Sequence, residues 1–164
     1  MERNIFLIQQ ILGWLDHLGT VGLLLTMFIE GLSVPFPGII IVLAYGYVMN
    51  FNIWESLLMA LVMSAIYTIA SFIPYLLGYK LDAFFKKRLK KSIDKARGWF
   101  NKYGLWSIAV TRPFGIGNYI SYVAGISKVK WLPYGLLTLV GIFPWAFVMI
   151  FIGREALQIV HAFF

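Results

Sequence analysis

Apolar positions along this chain follow two successive patterns, and the pair of patterns occurs twice. Between residues 4 and 18, Ile5, Ile8, Ile11, Leu12, Leu15 and Leu18 recur at helical spacing, while Gln9, Gln10, Asp16 and His17 fall off that face. Such a stripe predicts an amphipathic helix lying in a membrane interface rather than crossing it. Residues 84–103 repeat the design, with Phe85, Leu89, Ile93, Ala96, Phe100 and Tyr103 on the stripe. Each amphipathic stretch is followed by apolar sequence without helical asymmetry. Residues 53–78 and 131–153 are long enough to span a hydrocarbon core, which takes about 20 residues. Trp54 and Trp131 stand near their starts, where indole rings favour headgroup level. Pro74 and Pro144 are candidate kinks.

The remaining apolar runs are too short to cross alone. Residues 19–34 and 38–51 flank Pro35, Phe36, Pro37 and Gly38; residues 105–111 and 116–127 flank Arg112, Pro113, Phe114 and Gly115. Broken backbone at membrane depth is tolerated only where protein or water surrounds it. Each pair is therefore expected to form a re-entrant helical hairpin that enters and leaves on one side. The copies correspond at an offset of 85 for Trp14/Trp99 and Gly19/Gly104, 79 for Gly46/Gly125, 77 for Trp54/Trp131 and 75 for Gly78/Gly153. Paired apolar segments broken by Pro and Gly at matching places point to a transporter's midplane site. The predicted fold is an all-α integral membrane protein built as an inverted repeat. Residues 1–164 form one membrane domain, with repeats of about 1–82 and 83–164.

Composition supports lipid as the main solvent. The 164 residues are 60% hydrophobic and 13% charged, against about a quarter charged in soluble domains. There is no cysteine, so disulfide and thiolate chemistry are excluded; His17 and His161 lack metal-ligand spacing, and no metal is expected. The start of the chain lacks the basic region of a cleavable signal. A net charge of +7 would suggest nucleic acid in a soluble protein, but the basic residues are sorted by membrane side. With two hairpins, one side carries Lys80, Lys86, Lys87, Arg88, Lys90, Lys91, Lys95, Arg97, Lys102, Lys128 and Lys130, the other Arg3 and Arg154. The positive-inside rule places the basic helix in the cytoplasm and both termini outside. Lys86, Lys87, Arg88, Lys90 and Lys91 are then expected to sit on anionic headgroups, with membrane lipids as partners.

Two charges fall within the broken segments: Glu30 and Arg112. Either costs about 2.5–3.5 kcal/mol at the bilayer centre on insertion scales, so each needs a partner or a wet cavity. Hairpins meeting tip to tip would bring them together, as a static ion pair or as a site that exchanges that pair for a charged substrate or a proton. Ser33, Asn118, Ser121, Thr111, Tyr119 and Tyr122 add hydrogen-bonding groups near the breaks. Half-helix N-termini after Gly38 and Gly115 are candidate phosphate sites. No nucleophile elbow, P-loop or paired-His site is present, so an enzyme is not expected.

These residues resemble those of the DedA family of bacterial membrane proteins, related to VTT-domain proteins. Glu30, Pro35, Pro37 and Gly38, spaced ExxxxPxPG, match its acidic element. Phe100 to Gly104, Thr111-Arg112, Ala124-Gly125 and Gly141 to Trp145 resemble its second half. The resemblance covers nearly the whole chain. It implies opposed re-entrant hairpins and transbilayer lipid transport in a bacterial cell membrane, with undecaprenyl phosphate or phospholipids as substrate classes. It also implies functional roles for Glu30 and Arg112, with proton or sodium coupling open and no bound cofactor. Where relatives carry a Gly-Asp pair, this chain has Ala70-Ser71; where they carry a second arginine and a proline, it has Asn118 and Gly115. One carboxylate and one guanidinium suit an ammonium plus a phosphodiester, so charge matching favours phosphatidylethanolamine over undecaprenyl phosphate. A non-transporting scaffold and a small-solute or ion carrier are the readings of other classes.

Overall fold

The structure, a computed structural model, describes residues 2–34, 36–49, 51–80, 94, 98, 102–112 and 117–163, with side chains between 17 and 155 except at 117 and 118. Every regular element among them is helical. Helix α1 runs Glu2–Gly31, α2 Gly38–Met49 and α3 Ile53–Lys80; a 3-10 turn at Gly104–Trp106 leads into α4, Ser107–Thr111, then α5, Gly117–Ile126, and α6, Trp131–Phe163. Most of the predicted surface helix over 84–103, including Lys86, Lys87, Arg88, Lys90 and Lys91, lies outside the described residues, as do Pro35 and Gly115.

Helix α1 is two helices joined at Gly19, whose φ of 49° and ψ of −143° only glycine adopts readily. Gly104, its counterpart at an offset of 85, also has positive φ, at 62°. In both copies a glycine turns the chain at the start of the hairpin. The next breaks also fall where the sequence places them: α1 ends at Gly31 and α2 starts at Gly38, α4 ends at Thr111 and α5 starts at Gly117. Helix α3 opens on a reciprocal cap, the Asn52 N–H donating to Glu55 Oε2 (2.8 Å) and the Glu55 N–H to Asn52 Oδ1 (2.9 Å). Asn52→Ala is expected to cost about 1 kcal/mol, read as a lower thermal midpoint in detergent. Pro74 and Pro144 lie within α3 and α6 without ending either helix.

Helices α3 and α6 form the centre. α3 packs on α6, α1 and α5; α6 also packs on α2 and α4. Two apolar clusters result. Leu23, Met27, Val42, Tyr45, Met63 and Ile150 fill the space beside the first hairpin. Tyr75, Ile108, Ile120, Val123, Ala124 and Tyr134 fill that beside the second. The tightest crossings are glycine on glycine. A Cβ on Gly46 would meet the Ile150 carbonyl oxygen at 2.5 Å and Gly153 Cα at 3.2 Å; one on Gly125 would collide with the Tyr75 carbonyl and meet Tyr79 N at 2.7 Å and Gly78 C at 3.1 Å. Small residues permit such approach in lipid, where apolar burial supplies no drive between helices.

The polarity of α3 is reversed relative to a water-soluble helix. Ser56, Ser64, Thr68 and Ser71 are buried, whereas Leu58, Leu61, Ile69 and Ile73 are exposed. Most of the inward hydroxyls donate back to their own helix, Ser64 to Ala60 O (2.6 Å), Thr68 to Ser64 O (2.7 Å) and Ser71 to Thr68 O (2.8 Å). An outer face this apolar is stable against lipid and a liability against water. Ile53–Lys80 and Trp131–Glu155 are each long and apolar enough to cross a bilayer.

Candidate functional site

Arg112 follows the last residue of α4. Only 5% of its surface is exposed. The guanidinium donates from Nη1 to Ser121 Oγ (3.1 Å) and Tyr67 Oη (3.3 Å), and from Nη2 to Thr138 Oγ1 (2.8 Å) and Tyr134 Oη (3.0 Å). The guanidinium carbon, Cζ, lies 5.5 Å from the ring centres of both tyrosines. Tyr134 Oη in turn is 3.0 Å from Ser71 O, to which it donates, and 3.0 Å from Ser121 Oγ. Hydroxyls from α3, α5 and α6 therefore converge on one cation, and each can both accept and donate.

Glu30 is placed differently. It lies one residue before the end of α1, and its carboxylate rests against Gly38, where any Cβ would collide with Oε2. The first residue of α2 is thus covered by the protein's own acid, which suits the positive end of a helix. The start of α2, where half-helix N–H groups are expected to suit a phosphate, has an acid beside it. Oε2 is buried and finds no hydrogen-bond partner among the described residues; neither does Ser33 Oγ. Ser33 closes α1 with a φ of 63°, its N–H donating to Glu30 O at 3.0 Å. Pro37 is exposed at the same tip, its carbonyl accepting from Ile41 N at 3.4 Å.

The expected contact of Glu30 with Arg112 is not an ion pair; among the described residues the pair within 4 Å is Arg154 with Glu155, at 3.7 Å. Tyr67 stands between the two hairpins instead. Its carbonyl lies under Gly31, next in the chain to Glu30, while its hydroxyl accepts from Arg112. Of the residues singled out in sequence, Arg112 and Ser121 come together, and Glu30, Ser33 and Gly38 form a separate group. Asn118 is in the first turn of α5, its side chain outside the described residues. Thr111 turns inward but donates to Ser107 O (2.7 Å), and Tyr119 is exposed.

Sequence reasoning missed Tyr67, Ser71, Tyr134 and Thr138. A signal existed. Each long helix carries a tyrosine four residues before a small hydroxyl residue, Tyr67/Ser71 and Tyr134/Thr138, and that spacing puts both on one helical face. Their meeting around Arg112 required knowing which faces pack together.

A family model described as the VTT domain matches residues 34–155. The chain belongs to the VTT-domain family. Within it, the chain is a divergent DedA-type membrane protein. It is 32% identical over 158 residues to undecaprenyl phosphate transporter A of Bacillus subtilis (strain 168), covering 91% of this chain and 77% of that protein. A protein of the same name in Staphylococcus aureus (strain NCTC 8325 / PS 47) is 26% identical, over 89% of this chain and 78% of its own length. The uncharacterised membrane protein YbfM of B. subtilis is 27% identical, over 94% and 98%. No solved structure matches.

Proposed function

We propose that this VTT-domain protein transports a lipid phosphate of the polyprenyl class across a cell membrane. A membrane transporter is what family membership and the relatives' names support. The observation that carries the finer reading is the buried guanidinium ringed by hydroxyls from three helices. Charge-assisted bonds from an arginine fork suit phosphate oxygens. The hydroxyls that now accept from Arg112 can turn their own hydrogens toward an arriving phosphate, so the cation need not lose one set of partners before gaining another. Glu30 supplies a second charge at the opposing tip, with a proton or sodium ion as its candidate counter-ion.

Movement in this reading follows from the inverted repeat that the sequence predicts. Gly19 and Gly104 turn the chain alike, and the Gly46/Gly153 and Gly78/Gly125 crossings seat each hairpin on the long helix of the other copy. These pairings favour two opposed wedges rocking about shared contacts, while the lipid tail stays in hydrocarbon. The polyprenyl phosphate takes precedence over phosphatidylethanolamine because two relatives carry the former in their names. The case for the latter remains the one carboxylate and one guanidinium in the two breaks.

Proteoliposomes of phosphatidylcholine separate these readings. Radiolabelled undecaprenyl phosphate, followed by its accessibility to added phosphatase, is expected to equilibrate between leaflets at least tenfold faster than in protein-free vesicles. Phosphatidylethanolamine, followed with an amine-reactive probe, is expected to show no acceleration. Glu30→Gln keeps the shape, removes the charge and is expected to slow transport by about tenfold, the loss of one charged contact. Acceleration of the ethanolamine lipid alone would reverse the headgroup assignment. Folded protein that accelerates neither lipid would leave the scaffold reading in its place.

A further inference from the structure

A second basic niche lies away from Arg112, where α3 finishes and α6 begins. A cavity of about 710 Å³ opens there, lined by Tyr75, Tyr79, Lys128, Lys130, Trp131 and Leu132 among others. Its backbone is unusual at one point. Lys128 follows α5 in the left-handed conformation, with φ 55°, its N–H donating to Gly125 O (3.0 Å) and that of Val129 to Ala124 O (3.0 Å). Glycine is the usual occupant of that position. A lysine held there against its backbone preference is the kind of strain found at ligand sites. Its ammonium donates to the Tyr79 carbonyl at the end of α3 and stands 3.7 Å from the centre of the Tyr79 ring, yet the residue remains exposed. With three hydrogens it can hold that carbonyl and a phosphate oxygen together.

The niche is joined to the buried site by a ladder of tyrosines. The Tyr79 and Tyr75 rings are 6.2 Å apart, and Tyr75 stacks on Tyr134 at 4.6 Å. Tyr134 then hydrogen-bonds Arg112. Tyr75 also donates to Val129 O in the niche wall (2.5 Å). Lys128 and Arg112 are therefore cations at the two ends of one aromatic row. Leu76 and Leu132, exposed beside the cavity, offer apolar surface to a lipid tail, and Trp131 suits headgroup depth.

We propose that this niche is an interfacial station for the phosphate of the transported lipid, from which the headgroup passes along the tyrosine row to or from Arg112. The proposal rests on the lipid-phosphate reading above and deepens it. Only a ligand with both an anion and an apolar tail uses the lysines and the leucines together, so the occupant is a lipid phosphate and not the free ion.

Equilibrium binding of radiolabelled undecaprenyl phosphate tests it, with the full chain in micelles containing excess phosphatidylcholine. Lys128→Gly removes the cation and leaves a residue at ease in the left-handed backbone. Binding is expected to weaken about fivefold, and roughly twentyfold in Lys128→Gly/Lys130→Gln, as for lysines acting on an anionic lipid surface. The thermal midpoint of Lys128→Gly is expected to stay level or rise. In proteoliposomes the double variant should need more lipid phosphate for half-maximal transport and keep its maximal rate. Wild-type binding by the double variant would overturn the station even if transport is intact, as would displacement of the lipid by 10-fold excess inorganic phosphate. Weakened binding in the variants together with a wild type that moves no lipid would overturn transport and leave the station standing.

Discussion

Arg112→Met is expected to cut lipid-phosphate transport by at least about a hundredfold while the protein still folds. The size follows from the fork: charged hydrogen bonds are worth about 1.5–3 kcal/mol each, and two lost to a phosphate amount to roughly that factor or more. Folding should survive because two costs offset one another. Methionine forfeits the bonds to Tyr67, Ser121, Tyr134 and Thr138, but it also removes a charge whose desolvation is penalised by several kcal/mol. Methionine replaces the aliphatic stem of the arginine, and Tyr134 keeps Ser71 O as an acceptor. The net loss in stability is expected to be about 1–2 kcal/mol. Arg112→Lys keeps the charge but presents it from one nitrogen rather than a two-ended fork, so about a tenfold loss is expected. Phosphatase-accessibility assays in proteoliposomes, alongside thermal midpoints, provide the measurement. A methionine variant that transports like the wild type would reduce Arg112 to a rivet between hairpin and core.

The second large effect concerns the crossings that seat the hairpins. Gly125→Val is expected to destabilise the protein by about 3 kcal/mol or more, since overpacking by even a methylene or two costs about 1–3 kcal/mol and here the obstacle is backbone. The Tyr75 carbonyl, Tyr79 N and Gly78 C leave no room for a Cβ. Helical backbone, here in the last turns of α3, cannot retreat as a side-chain tip can. Gly135→Ala supplies the contrast. Its nearest neighbour would be Phe72 Cζ at 3.1 Å, the far end of a ring, and the expected cost is below about 1 kcal/mol. Thermal unfolding in detergent compares them. Equal midpoints for the valine variant and the wild type would mean that α5 does not sit against α3 in this way. Gly46→Val, against Ile150 O and Gly153 Cα, is expected to behave like Gly125→Val at the other crossing. The two should add, being separate contacts.

The apolar texture of the chain was enough to identify lipid as solvent, and local backbone chemistry was enough to place its breaks. Gly19, Pro37 and Gly38 act within a turn of themselves, so those helix ends are visible without knowing what the helices touch. Arg112 stood out for a similarly local reason, as a charge in a stretch where a charge is expensive. Its surroundings were not visible. Tyr67 and Tyr134 read as ordinary members of apolar helices, and only the packing of α3, α5 and α6 turns their hydroxyls to the same point. Nor could sequence foresee that Glu30 would lie against Gly38 in its own hairpin rather than reach the guanidinium. Sequence alone determined the helical element type, the breaks near Gly19, Gly38 and Gly104 and the membrane class, because those depend on residues near one another in the chain. Tertiary structure alone decided which polar groups meet, because in a bundle that depends on which helical faces turn toward each other, set by close contacts such as Gly78 on Gly125.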